Sequence, residues 1–139
     1  MVAAGKIAEV LGLKRIHTLP ELAAAVAHGL PKSALKTCVG RIFPRPADQK
    51  PVIYRVVPEG TYKRRRHALK FDESERTERL ARVIATAEYV WDDKEDARAF
   101  LTSPHPGLEG RRPIDVAVTE LGARRVEDLL WKVFYGVPV

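Results

Sequence analysis

The sequence predicts an all-α fold. Apolar residues recur at helical spacing, as in Leu80, Val83, Ile84, Ala87 and Trp91. Helix start and stop signals bracket such runs. The β-rich run Ile53–Val57 is too isolated to pair as a strand.

Taken in order, Ala3–Leu11 reads as a short first helix. Thr18-Leu-Pro-Glu21 opens the second: Thr18 caps the first amides, Glu21 closes a capping box, and Pro20 suits the first turn. That helix runs through Ala27 and ends near Gly29. Pro31–Phe43 forms a third, with Leu35, Val39 and Ile42 on one side. Pro44, Pro46, Pro51 and Pro58 then forbid a continuous helix. A helix beginning around Pro58–Thr61 covers the basic run Lys63-Arg-Arg-Arg-His67. Asp72 caps a long helix, with Glu75 three residues on. A shorter helix covers Asp93–Leu101, and residues 103–113 form a loop rich in proline and glycine. Pro113 opens a short helix that Gly122 breaks. The last helix spans Ala123–Tyr135 and stops at Gly136.

A chain of 139 residues, 45% hydrophobic and 30% charged, has the composition of an ordinary globular protein, with one core or two small modules. No apolar run approaches the roughly 18 residues of a membrane span. Lys6 and Glu9 interrupt any signal-peptide centre. The single Cys38 excludes an internal disulfide and fits a reducing, cytoplasmic setting; it reads as a small residue on an apolar helix face. The net charge of +6 conceals an asymmetry. Residues 1–70 carry 14 Lys/Arg against 4 Asp/Glu, and residues 71–139 carry 10 against 14. Either the first half attracts a polyanion or the halves attract each other.

On a helical wheel anchored at Tyr62, Leu69 falls on the same side, whereas Lys63, Arg64 and His67 lie about 100–200° away. Arg66, at about 40°, stands beside the buried stripe and needs a carboxylate from the downstream group Asp72, Glu73 and Glu75. Arg66 and Glu75 are therefore assigned structural roles, and Lys63 and Arg64 are the better contacts for a polyanion. Two segments have helix-turn-helix spacing. One is residues 21–39, with Ala25, Gly29 and Leu35 as small residue, turn glycine and packing leucine. The other, which has the charge and is preferred, places the basic helix Thr61–Leu69 in the recognition role.

In the last helix Val126, Leu129, Leu130, Val133 and Phe134 fill one stripe. Trp131 and Tyr135 face away from it, and the apolar tail Gly136-Val137-Pro138-Val139 follows. Outward aromatics one turn apart belong either to an interface or to a second packing layer. In the segment Gly110-Arg-Arg-Pro-Ile-Asp115, Gly110 turns the chain, Pro113 opens a helix, and Asp115 offsets the dipole of its first turn. Arg111 and Arg112 pair within the domain or reach a partner, with at least one expected to pair internally.

Enzymatic chemistry has little support. His17, His28, His67 and His105 lack metal-ligand spacing, no glycine-rich phosphate loop occurs, and Cys38 has no positioned base. No cofactor or metal is expected.

The runs GLPKSAL, VPEGTYKRRR and DESERTERLARV, with the C-terminal run from AEYVW to FYGVPV, resemble Xre/MbcA/ParS-type antitoxins. The resemblance covers nearly the whole chain, and the combination of L-x-G-R-R-P-I-D, G-A-R-R-V-x-x-L-L and Y-G is specific. It implies an Xre-like helix-turn-helix and dimerisation region over residues 1–71. Residues 72–139 would be a connecting helix and toxin-binding domain. It further implies a type II antitoxin that binds a RES-domain toxin that degrades NAD+, blocks its active site, dimerises and represses its own operon. Carried onto this chain, the T-Y-x-R-R match places operator contact at Thr61, Tyr62, Arg64 and Arg65, and Lys63 joins them by its charge. The G-R-R-P and Y-G matches place toxin contact at Arg111, Arg112, Tyr135, Gly136, Val137, Pro138 and Val139, with Gly110, Pro113 and Asp115 shaping the fold, and Trp131 joins them by its outward position. The alternative is a stand-alone DNA-binding regulator. The chain departs from the family at Pro44–Pro58, where a full helix is usual and the prolines predict none.

Overall fold

The computed structural model describes residues 1–139 and is all-α. Its helices are α1 (Ala4–Leu11), α2 (Leu19–His28), α3 (Lys32–Gly40), α4 (Pro46–Val56), α5 (Glu59–Arg64), α6 (Phe71–Trp91), α7 (Lys94–Thr102), α8 (Pro113–Val116) and α9 (Glu120–Phe134), with a 3-10 turn at Pro106–Leu108. None is long and apolar enough to cross a membrane.

The long helix α6 is the axis of the molecule. Helices α1 to α4 pack on it from one half of the chain, and α7 and α9 from the other. Leu80, Val83, Ile84 and Ala87 are buried along it, and one continuous core runs from Val2 to Leu130. No gap in that core separates residues 1–71 from 72–139.

Capping signals explain several boundaries. The Thr18 hydroxyl accepts from the Glu21 amide at 3.3 Å, while the Glu21 carboxylate accepts from the Thr18 amide at 3.0 Å, the reciprocal box that the sequence predicts. Asp93 accepts from the amide of Glu95 at 2.7 Å to start α7. Gly12 and Gly136 end α1 and follow α9 at positive φ, 72° and 71°.

Four expectations need correction. First, residues 46–56 form a helix despite Pro51. Pro46 occupies the first turn, where no amide bond is lost, and Pro51 lies on the exposed side. The inward positions Val52, Ile53 and Val56 bury into the core and outweigh the missing hydrogen bond. The family departure at Pro44–Pro58 therefore disappears. Second, α5 stops at Arg64 and does not continue through Leu69. Third, α6 begins at Phe71 with Lys70 as its N-cap, two residues earlier than Asp72 capping requires. The closing carboxylate is Glu73, which accepts from the Lys70 amide at 2.9 Å, whereas Glu75 is exposed and caps nothing. Fourth, Gly122 does not break a helix. It sits in the first turn of α9, whose N-cap is Thr119, with its amide donating to the Thr119 hydroxyl at 3.0 Å. A Cβ there would lie 1.8 Å from the Val116 carbonyl oxygen, so only glycine lets α9 start this close to α8.

Candidate functional site

Helices α6 and α9 run side by side in the same direction. Arg79 pairs with Glu120 at 2.9 Å and Arg82 with Glu127 at 2.8 Å, and further along Tyr89 meets Trp131 and Phe134 at centroid distances of 5.9 and 5.6 Å. The buried stripe of α9 includes Val126, Leu129 and Leu130 as expected. It ends there. Val133 is half-buried and Phe134 is 44% exposed, because α6 ends at Trp91 and the chain turns away at Asp92, which has φ 51°.

Phe134 instead joins an uncovered aromatic cluster. Its ring lies 5.4 Å from Trp131 and 5.1 Å from Tyr135, both edge-on. Tyr135 is 74% exposed and Tyr89 52%. Trp131 is half-buried beneath them. Two members, Tyr89 and Phe134, escaped the sequence reading. Tyr89 was discoverable: on a wheel of α6 it falls opposite the Leu80–Ala87 stripe.

The tail curls back. The Val137 amide donates to the Lys132 carbonyl at 2.8 Å and the Gly136 amide to the Val133 carbonyl at 3.1 Å. Pro138 and Val139 then line a 290 Å³ recess with Gly107, Leu108 and Arg125. Val137 and Val139 remain about half exposed.

The loop ahead of α8 is built by its own polar groups. The His105 amide donates to the Arg111 carbonyl at 3.1 Å, and His105 Nδ1 accepts from the Gly107 amide at 2.9 Å, consistent with His105 as a turn residue. Gly110 turns the chain at φ 74°. Arg125 of α9, which sequence reasoning missed, donates to the Gly107 carbonyl at 3.2 Å and pairs with Glu109, tying the loop to the last helix. Arg112 is used internally: it pairs with Asp115 at 2.7 Å and stands 5.5 Å over the Phe43 ring. Asp115 also accepts from Arg55 at 3.3 Å. Arg111 is exposed and makes no ion pair within the chain, so of the two arginines it alone keeps an unpaired charge for a partner.

The basic block divides differently from the wheel. Within α5, Lys63 pairs with Glu59 at 2.7 Å, Arg64 donates to the Thr61 hydroxyl at 3.2 Å, and Tyr62 packs edge-on against Tyr54 with Lys32 Nζ 4.5 Å over its ring. Beyond Arg64 the chain is extended. The Lys32 amide donates to the His67 carbonyl at 2.9 Å and the Leu69 amide to the Leu30 carbonyl at 2.8 Å, a short bridge that clamps the turn between α2 and α3. Gly29 makes this possible, since a Cβ there would lie 2.6 Å from the Leu69 carbonyl oxygen.

Because the helix ends early, Arg65 and not Arg66 turns inward. Arg65 grips the buried Glu73 with two hydrogen bonds of 2.9 and 2.8 Å, while Arg66 is exposed without an ion pair. The structural role assigned to Arg66 therefore passes to Arg65. The Arg65 guanidinium holds the Glu73 carboxyl down at about 2. Other charges of the first half are likewise satisfied by the second. Burial alone would push buried Glu88 up, but hydrogen bonds from Arg41 (2.6 and 3.0 Å) and Lys6 (2.9 Å) outweigh it and hold its pKa below the usual carboxylate range.

No three His, Cys, Asp or Glu side chains converge to hold a metal ion. Cys38 is fully buried and its thiol is pushed up by burial to about 12, far from a reactive thiolate.

Residues 86–136, which include α7 to α9 and the whole aromatic cluster, match the family described as antitoxin Xre/MbcA/ParS C-terminal toxin-binding domain. Two curated proteins named "Antitoxin Xre" are similar to this chain. The one from Pseudomonas putida is 31% identical over 84 residues, 58% of this chain and 53% of that protein. The one from Yersinia enterocolitica is 37% identical over 78 residues, 54% of this chain and 53% of that protein. The chain spans about half the length of the curated relatives it matches. Residues 86–136 are thus similar to the C-terminal toxin-binding domain of Xre/MbcA/ParS antitoxins, and a little over half of the chain is similar to proteins named as Xre antitoxins.

Proposed function

We propose that this chain is the antitoxin of a type II toxin–antitoxin pair and inhibits a RES-domain toxin sterically, by covering the pocket in which that toxin degrades NAD+. The observation that carries this is the uncovered cluster of Tyr89, Phe134 and Tyr135 over half-buried Trp131, all of it inside the residues that match a toxin-binding domain. Large rigid aromatics beside a charged rim are the usual centre of a tight protein interface. The tail from Gly136 to Val139 follows Tyr135 directly, and exposed Arg111 is a further charge without an ion pair in the chain. The choice of a RES toxin rests on the family resemblance.

The same reading includes a homodimer and repression of its own operon. Two features favour DNA contact. Helices α4 and α5 meet across the two residues Val57 and Pro58, and α5 presents Lys63 and Arg64 to solvent. With toxin binding removed, these features would describe a stand-alone DNA-binding regulator.

Co-expression with the gene beside it, with one partner tagged, tests the proposal. The expected result is a complex that is inactive toward NAD+ until this chain is removed. A chain truncated after Tyr135 is expected to stay folded and lose protection. Full protection by the truncated chain removes the tail from the mechanism, and a partner equally active with and without the chain ends the antitoxin reading.

A further inference from the structure

We propose that the outer face of α3, joined to the turn between α1 and α2, is a phosphate-binding strip that carries the DNA backbone beyond α5. This rests on the DNA contact of the proposed function and adds to it a surface outside the α4–α5 pair.

The strip consists of Arg64, Arg66, Lys32, Lys36, Lys14 and Arg15, all exposed except half-buried Lys32. Three contacts make it continuous. Lys32 Nζ stands 4.5 Å over the Tyr62 ring, which joins α3 to α5. The Lys32 amide donates to the His67 carbonyl at 2.9 Å, which seats Arg66 close to the start of α3. At the other end Thr37 lies against Gly12, where a Cβ would stand 3.0 Å from the Thr37 Cγ2, and Lys14 and Arg15 follow two and three residues on. Helix α3 buries Ala34, Leu35, Cys38 and Val39. Helical geometry then turns Lys36 and Thr37 outward and leaves Lys32 at the edge of the same face.

The charge of this face is of one sign. None of its six cations makes an ion pair within the chain. The four carboxylates of residues 1–70 are all engaged elsewhere: Glu9 with Lys6 and Arg41, Glu21 with the amides of His17 and Thr18, Asp48 with Arg45, and Glu59 with Lys63. The charge also opposes its own helix. Lys32 is the first residue of α3, whose first turn has no acidic side chain, so a cation sits at the positive end of the dipole. An anion at that end offsets both the dipole and the crowded cations.

The dimensions suit a duplex. Lys32 to Thr37 covers roughly 7.5 Å of helix axis, enough to follow about two phosphates of one strand. Continuity with α5, the helix proposed to contact DNA, favours duplex DNA over an acidic protein as the occupant.

The salt dependence of DNA binding by the full chain tests this, with a duplex from upstream of its own gene and a scrambled duplex of equal length. Lys14→Gln with Lys36→Gln is expected to reduce the slope of log affinity against log salt by about two on both duplexes. The preference between the duplexes is expected to stay the same, because phosphate contacts carry no sequence information. Lys94→Gln with Lys132→Gln removes equal charge from exposed positions on α7 and α9 and is expected to leave the slope unchanged. A slope that falls with Lys63→Ala and Arg64→Ala but not with the Lys14 and Lys36 pair would overturn the strip and keep α5. Equal falls in both glutamine pairs would overturn it too, since net charge alone would then be read. A toxin complex weakened by the Lys14 and Lys36 pair at an unchanged DNA slope would assign the strip to the toxin instead. A wild-type chain with no salt-dependent affinity for either duplex would end the DNA contact of the proposed function together with the strip, and leave the toxin reading to its own test.

Discussion

The basic run at Lys63–His67 and the aromatic end at Trp131–Val139 both look like contact surfaces in the sequence, and the structure treats them differently. The basic run is partly consumed inside the chain: Arg65 is committed to Glu73 and Lys63 to Glu59. The aromatic end is left uncovered, with Tyr135 74% exposed. Charge can be neutralised by any residue that folds nearby, including one eight positions away or in the other half of the chain. An aromatic surplus on a helix whose inward stripe is already filled by Val126, Leu129 and Leu130 has no such internal outlet. An outward aromatic is the stronger signal of a partner.

The most direct way to break this contrast is to dislodge the helix that carries the aromatic end. Gly122→Ala forces a Cβ against the Val116 carbonyl and is expected to cost about 3 kcal/mol, read by chemical denaturation. Toxin binding should fall with it. A variant as stable as wild type would mean that α9 starts farther from α8 than the structure places it.

Removing the aromatics alone sharpens the contrast. Trp131→Ala with Tyr135→Ala is expected to weaken toxin association by about 100-fold, measured by calorimetry, with little change in helix content. Unchanged affinity would return these rings to a second packing layer.

How legible this was depended on whether local or distant residues decided each element. The capping box at Thr18 and Glu21, the start of α7 near Asp93, the Gly136 stop and the outward direction of Tyr135 follow from neighbours in sequence, and reading them needed no tertiary information. Helix α4 was not legible, because Pro51 argues against it locally and only burial of Val52, Ile53 and Val56 in the shared core overrides that. Arg65 was missed for a related reason. The wheel assumes that α5 continues, and it is the pairing of Leu69 with Leu30 and of His67 with Lys32 that pulls the chain into extended form after Arg64. Phe134 required knowing where α6 ends.

The two neighbouring arginines give the next test. Arg65→Ala strips the partner from buried Glu73 and is expected to lower Tm by about 3–5 °C, whereas Arg66→Ala should leave it unchanged. The pH dependence carries the same signature. The folded carboxyl of Glu73 titrates at about 2, below its ordinary 4.5, so its contribution to stability is complete above 4.5 and is lost as pH falls from there toward 2. Arg65→Ala should flatten that acid limb. An equal response of both arginines would restore Arg66 as a structural residue.

The smallest effect falls on what remains of the basic run. Lys63 is held only by an exposed pair one turn away and Arg64 only by a hydroxyl, and both can be released at little cost. Each phosphate contact contributes a little under one unit to the slope of log affinity against log salt. Lys63→Ala with Arg64→Ala is therefore expected to reduce that slope for operator DNA by about two, with Tm within about 1–2 °C of wild type. Arg65→Ala should show the opposite pattern, with lower stability and an unchanged slope at conditions where the chain stays folded. A slope that ignores Lys63 and Arg64 removes α5 from the DNA interface and moves attention to the α2–α3 pair. A slope that responds to Arg65 means that its bond to Glu73 opens when DNA binds, and the division of the basic run into a structural and a contacting part would no longer hold.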